Sequence, residues 1–311
     1  MAGISQKPGG GGEMTETPSK SAMLSASGFS RKRRFADLAT GIVTGSAFLL
    51  TLGVLAWIVW DLVRMGLPQI SGEFLTGDVK EAGRSGGIGP VLASTFLVLL
   101  CCMAAAVPLG LGCAIWLSEF VRKDSRWGRL VRAGVDLLAA VPSIVFGLFG
   151  MAFFCQVLGM GFSILAGGLT LACMILPILV RTALSALNAL PDHLRLSSAA
   201  LGMTRTAMLK KVLIPAALPG ILVGVTLGVA RALAETAALV FTSGYSTRWP
   251  SGLGDSGRAL SVHIYDLAMN IPNGSARASA SALVLLLLIL AISYLASILT
   301  DRWLQKQTGT K

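Results

Sequence analysis

The chain has 311 residues, of which 54% are hydrophobic and 13% charged, with 26 Lys and Arg against 15 Asp and Glu. Soluble domains carry about 25% charge, so these proportions argue against a secreted enzyme, an ordinary soluble α/β domain and a disordered protein. A mean hydropathy of +0.73, with apolar residues enough for about six spans of ~20, indicates a polytopic membrane protein. The five cysteines (Cys101, Cys102, Cys113, Cys155 and Cys173) all fall within apolar runs and form no C-x-x-C pair. They read as small buried hydrophobes rather than as a disulfide or metal framework.

Residues 1–34 are rich in Gly, Ser and Lys and end in Arg31-Lys32-Arg33-Arg34. Such a segment buries no core, and a disordered basic arm is expected. A transmembrane body is expected over 35–304, with spans at about 38–60, 90–117, 134–158, 162–184, 216–242 and 279–300, and a tail at 305–311. The runs are continuously apolar rather than alternating, which favours helices over barrel strands. Trp57, Trp60 and Trp116 sit near span ends, and Trp303 lies just past the last, as interfacial anchors do. Pro108, Pro142 and Pro177 fall inside three consecutive spans, where each removes a backbone donor and tends to bend its helix.

Six spans put both termini on one side. With the N-terminus inside, the inner segments hold 19 Lys and Arg and the outer segments 61–89 and 243–278 hold six. That asymmetry orients the chain with both termini cytoplasmic.

The inner segment 185–212 carries a distinctive pattern. One short helix starts near Pro191 and stops at Gly202, and another is capped by Thr204 and runs into Pro215. Leu194, Leu201 and Ala200 give the first an apolar patch; Met208, Leu209 and Val212 give one to the second. A cytoplasmic helix–Gly–helix with apolar faces calls for a partner surface.

The fifth span places Gly220, Gly224, Gly228, Arg231 and Glu235 within about 40° of Gly224 at ~100° per residue. The glycine row admits a neighbouring helix closely, and Arg231 and Glu235 form an i,i+4 pair on the same face. Ionisable groups inside a membrane cost about 2.5–3.5 kcal/mol each on insertion scales, so they mark a path or gate unless they merely pin helices. Arg231 is the one base well inside a predicted span. It is the residue an anion crossing the protein would pass. His193 and His263 have no metal-ligand neighbours in sequence. There is no Gly-x-x-x-x-Gly-Lys-Ser/Thr loop, Gly-x-Ser-x-Gly elbow or His-Glu-x-x-His motif.

Gly202, nine further residues, and then Val212-Leu213-Ile214-Pro215 resemble the coupling motif of ABC importer permeases. Leu196 stands where that motif has Glu. Ala230-Arg231-Ala232-Leu233-Ala234-Glu235-Thr236-Ala237 resembles a segment of phosphate-specific permeases, with Ala234 and Ala238 replacing their Gly and Pro. Val141 to Gly150, and Pro108-Leu109-Gly110 with Ser118-Glu119-Phe120, resemble the same family. The likeness covers about 90–300 and is nearest the PstA type.

The resemblance implies an all-α ABC type I importer permease fold with six transmembrane helices, in the bacterial inner membrane. It implies a non-catalytic subunit for inorganic phosphate, binding no cofactor or metal itself, with ATP held by a partner ATPase. Its implied partners are a second permease (PstC-type), an ATPase dimer (PstB-type) and a periplasmic phosphate-binding protein (PstS-type), besides lipid and without nucleic acid. Coupling to the ATPase falls to Leu194, Leu201, Gly202, Met208 and Pro215, and the translocation path to Arg231 and Glu235. Competing readings are a permease for another oxyanion, a phosphonate or an amino acid, and a stand-alone secondary carrier.

Overall fold

The structure is a computed structural model that describes residues 20–122 and 125–308. It divides into two units, one ending at Trp60 and one beginning at Asp61. The first is the long helix α1 (Lys20–Gly66) as far as Trp60. From Leu38 to Trp60 it is apolar around its circumference, exposing Leu38, Leu49 and Trp57, as a lipid-facing span does. Helix α1 begins at Lys20, within the segment expected as a basic arm over 1–34. Residues 1–19 lie outside the described residues. The last helix likewise runs to Thr308, through most of the expected 305–311 tail; residues 309–311 lie outside the described ones.

The second unit is a helical bundle with one two-residue antiparallel pairing, β1 (Val79–Lys80) with β2 (Ser85–Gly86), among the described residues. Among the described residues, five helices are long and apolar enough to cross a membrane: Phe35–Gln69, Gly89–Phe120, Ile164–Asn188, Arg205–Leu233 and Ser275–Ile298. A bent pair, Arg126–Ala140 and Ser143–Val157, is broken by 101° and makes a sixth crossing where the two count as one span.

That bend falls inside the span expected at 134–158, at the proline expected to bend it. Pro142 disfavours helical backbone at the residue before it, and Val141 is extended (φ −70°, ψ 129°). The segment therefore splits into α4 (Arg126–Ala140) and α5 (Ser143–Gly150). Pro108 and Pro177, by contrast, lie inside the unbroken helices α3 (Gly89–Ile115) and α6 (Ile164–Asn188).

Helix α6 is the axis of the bundle, and its apolar stretch is 67% buried. Ser163 starts it by accepting the Ala166 N–H at 3.2 Å, a side-chain cap on an otherwise orphaned donor. Glycines set its distance from α3: a Cβ on Gly110 would fall 2.9 Å from Leu179 Cβ. Around this contact Val98, Cys102, Ala106, Leu171, Ile175 and Leu179 form the main core.

The two segments expected on the outer side come together in the fold. Helix α2 (Gly72–Thr76) and the β pair interlock with the 243–274 connection, in which α11 (Leu260–Met269) lies. Trp249 Nε1 donates to Asp78 Oδ1 at 2.6 Å, and Phe74, Ile88, Val91 and Leu260 share one small core with Ala280. Helix α12 (Ser275–Thr308) is tied in by Arg277, which donates to the Gly86 carbonyl at 2.7 Å and covers the Phe74 ring. We refer to this assembly as the cap.

Inside the cap, Arg258 pairs with Asp266 at 2.9 Å and donates through Nε to the Tyr245 carbonyl. His263 is fully buried beside them, and neither ring nitrogen has a hydrogen-bond partner among the described residues. Burial first, and then the Arg258 charge, push its pKa down to about 4, against a smaller opposing pull from Asp266.

The ring is therefore neutral in the fold. Its contribution to stability is present above the unfolded-state value near 6.5 and is lost as pH falls toward and through 4. The loss amounts to about 2–3 kcal/mol by pH 4.5. The expected result is a thermal midpoint in detergent that drops between pH 7 and pH 4.5, with a shallower drop for His263→Phe.

Candidate functional site: a broken helix end and a coupling elbow

The coupling elbow is built by local rules. Helix α7 (Asp192–Ala200) ends where Gly202 turns left-handed at φ 70°. The Gly202 N–H bonds the Ala199 carbonyl at 3.0 Å and the Met203 N–H bonds the Ser198 carbonyl at 3.1 Å. That pair of bonds is a Schellman closure, which satisfies carbonyls the helix end would leave bare and favours glycine at its left-handed position.

Thr204 then caps α8 (Arg205–Met208) by accepting the Ala207 N–H. Rather than stopping at Pro215, the helix widens into a π turn over Leu209–Leu213 and continues as α9 (Ile214–Leu233). Pro215 has no N–H to give to the preceding turn, which accounts for the widening there. The second arm of the elbow is thus continuous with a span.

The side chains sort into two sets. Leu194 and Met208 pack partly inward, beside the buried Leu209, Leu213 and Leu187. Leu201 is 80% exposed, Leu196 is 71% exposed, and Gly202 is open. The outward apolar surface is therefore Leu196 and Leu201 with Ala199 and Ala200. Leu196 had been read only as the position lacking the family's Glu. Its spacing of five from Leu201, about 500° at ~100° per residue, does not mark it as the same face on a wheel; its exposure in the fold is what adds it to this surface.

At the other end of α9 lie Arg231 and Glu235. The helix expected to run to 242 stops at Leu233, and a short helix α10 (Ala237–Val240) follows. The break satisfies the buried carboxylate. Glu235, 4% exposed, accepts the Ala238 N–H at 3.3 Å, a donor freed because α10 starts there, while its own carbonyl accepts from Ser261 of α11. Arg231 Nη2 stands 3.3 Å from Glu235 Oε2, with 49% of its side chain exposed. The pair lies at the cap end of α9, about 26 Å from its start by helix rise, rather than at mid-span.

The glycine row faces α6. A Cβ on Gly220 would lie 2.6 Å from Ala186 Cβ, one on Gly224 would collide with Thr182, and one on Gly228 would make ordinary contact with Ile175 and Leu179. Gly224→Val is accordingly expected to destabilise the α6–α9 contact by about 1–3 kcal/mol through overpacking. The thermal midpoint of purified protein checks this, with Gly228→Ala as the tolerated comparison.

The structure is thus an apolar helical bundle with a glycine-turned elbow at one end and a charged break in a span helix at the other. The chain belongs to the family described as binding-protein-dependent transport system inner membrane component, whose match covers residues 106–306. It is 31% identical, over 88% of its length and 96% of the relative's, to the probable ABC transporter permease protein YqgI of Bacillus subtilis. It is 31% identical, over 72% of its length and 77% of the relative's, to the phosphate transport system permease protein PstA of Xylella fastidiosa.

Among solved structures, the MetNI methionine ABC transporter in an inward-facing conformation has a chain of like fold. The TM-score is 0.54 at 20% identity, covering 70% of this chain and 94% of that one. A chain of a bacterial ABC transporter importing the acidic polysaccharide alginate gives 0.55 at 16% identity, covering 82% and 96%. These two likenesses concern the fold, which is that of ABC type I importer permeases.

Proposed function

We propose that this permease carries inorganic phosphate inward, with both termini and the 192–213 elbow in the cytoplasm. A second permease of the PstC type, an ATPase dimer of the PstB type and a phosphate-binding protein of the PstS type complete the transporter. The chain itself binds no cofactor; ATP is held and hydrolysed on the ATPase.

The observation that carries this reading is Arg231. Its guanidinium is half-exposed at a broken helix end, and Glu235 anchors it from the buried side. Discontinuous helices with polar ends are how transport proteins present charge to a solute in an apolar setting. A planar fork with several donors suits a tetrahedral oxyanion. Relatives named for phosphate transport support the choice of anion. The pairing of the two expected outer segments in one cap fits alternating spans.

Mechanically, displacement of the elbow by the ATPase passes directly into α9, because α8, the π turn and α9 form one continuous helix. The Arg231 end then exchanges the side to which it is open. Work is done only if phosphate binds the two states differently.

The test is uptake of labelled phosphate by the complex in proteoliposomes. Expected is ATP-dependent phosphate uptake that excess sulfate or methionine leaves unchanged. ATP-driven uptake of another solute in place of phosphate contradicts the choice of anion. Uptake by this chain without an ATPase contradicts the subunit reading.

A further inference from the structure

Helix α7, one arm of the elbow, has little apolar anchorage of its own. Ser198 is its one fully buried residue, Leu194 is partly buried, and His193, Leu196, Ser197, Ala199 and Ala200 are exposed. A lever so lightly packed transmits force only through what grips it.

That grip is Arg195. Its Nη2 reaches Glu119 Oε1 at 2.8 Å, and Nε lies 3.2 and 3.3 Å from the two carboxylate oxygens. Nη2 also donates to the Leu187 carbonyl at 3.1 Å, and Nη1 to the Leu190 carbonyl and to Asp192. Glu119 is 8% and Arg195 23% exposed.

Glu119 sits in a π turn, Trp116–Phe120, at the end of α3. Ser118 Oγ donates to Glu119 Oε1 at 2.9 Å and touches Asn188 Oδ1 at 3.4 Å, and Arg132 of α4 donates to the Leu117 carbonyl. One guanidinium therefore ties the start of α7 to the ends of α3 and α6. Helix α3 in turn reaches the cap, where Thr95 Oγ1 accepts the Leu260 N–H at 2.8 Å.

We infer that Arg195–Glu119 is a transmission strut that carries motion of the elbow into α3, a second output beside the continuous α9. Arg195 and Glu119 are positioning residues in this scheme, touching neither solute nor nucleotide. The largely buried, bidentate geometry suits a mechanical role. Desolvated charge pairs are costly to separate, so the two helices move as one body. The π turn supports the assignment, because an extra residue in a helical turn swings the Glu119 side chain to where α7 can meet it.

This inference rests on the permease reading above, and its test keeps the two apart. The complete transporter is reconstituted as wild type and as Glu119→Gln, Glu119→Arg, Arg195→Lys, Arg195→Glu and the exchanged pair Glu119→Arg with Arg195→Glu. Phosphate uptake and ATP hydrolysis are measured on the same vesicles. Expected for each charge reversal is a roughly tenfold fall in phosphate moved per ATP, within the usual range of inter-site coupling. The ATPase stays bound and hydrolysing.

Arg195→Lys and Glu119→Gln fall between these and the wild type, and the exchanged pair regains most of the ratio. Glu119→Gln introduces no new charge and gives the answer should the reversals fail to fold. A wild-type ratio in every folded single variant overturns the strut. So does loss of ATPase binding with Arg195→Glu while Glu119→Gln stays fully coupled, which makes Arg195 a docking residue. Absence of ATP-driven uptake in the wild type overturns the permease reading instead.

Discussion

Arg231→Ala is expected to reduce phosphate uptake by roughly a hundredfold, the effect of losing charged hydrogen bonds worth about 1.5–3 kcal/mol to an anion in a poorly hydrated path. Assembly with the partner subunits should survive, because Arg231 is half-exposed and contributes no apolar core. The single variant leaves Glu235 without its cation. The double variant Arg231→Ala with Glu235→Gln removes that complication and should be equally inactive. Arg231→Lys keeps a charge beside Glu235 but not the planar fork, and should retain partial uptake. Normal uptake by Arg231→Ala reduces the pair to a structural pin at the helix break.

Gly202→Leu is expected to abolish ATP-driven uptake while the bundle stays folded. The position has φ 70°, and a branched L-residue held left-handed there costs about 1–3 kcal/mol. Nothing lies within 4 Å of the place a Cβ would occupy, so the bundle loses no packing. The damage falls on the angle between α7 and α8 and on the surface formed by Leu196 and Leu201. Co-purification of the ATPase and the rate of uptake check this; unchanged values for both count against the elbow as the docking site. Gly202→Asn, a residue tolerant of left-handed backbone, should be the mildest replacement.

The elbow was the most legible part of the sequence because each of its signals is local. Pro191, Gly202 and Thr204 specify a start, a left-handed stop and a cap through backbone chemistry confined to a few residues. The glycine row of α9 was legible as a face for the same reason, since helical period alone fixes it; which helix would meet it was not.

Three features escaped, two of them because tertiary contacts decide them. The end of α9 at Leu233 goes with burial of Glu235, whose carboxylate accepts the Ala238 N–H and whose main-chain carbonyl accepts the Ser261 hydroxyl. Those partners lie across a break that hydropathy does not record. Ala234 and Ala238 are good helix formers, so intrinsic propensity argued for continuation and was overridden. The 101° bend at Val141–Pro142 carried a signal, a proline in an apolar run, but Pro108 and Pro177 carried the same signal without breaking their helices. The Glu119–Arg195 strut joins residues 76 positions apart and has no periodic signature at all.

The direct test of the central claim, that an ATPase grips this elbow from the cytoplasm, is the sidedness of Thr206. It is exposed at the tip of α8. With the five native cysteines replaced, Thr206→Cys is treated in intact cells with a membrane-impermeant maleimide, and again after permeabilisation with and without the ATPase subunits. The expected result is no labelling from outside, labelling after permeabilisation, and protection when the ATPase is bound. Labelling from outside intact cells places the elbow across the bilayer from any ATPase and contradicts the mechanism.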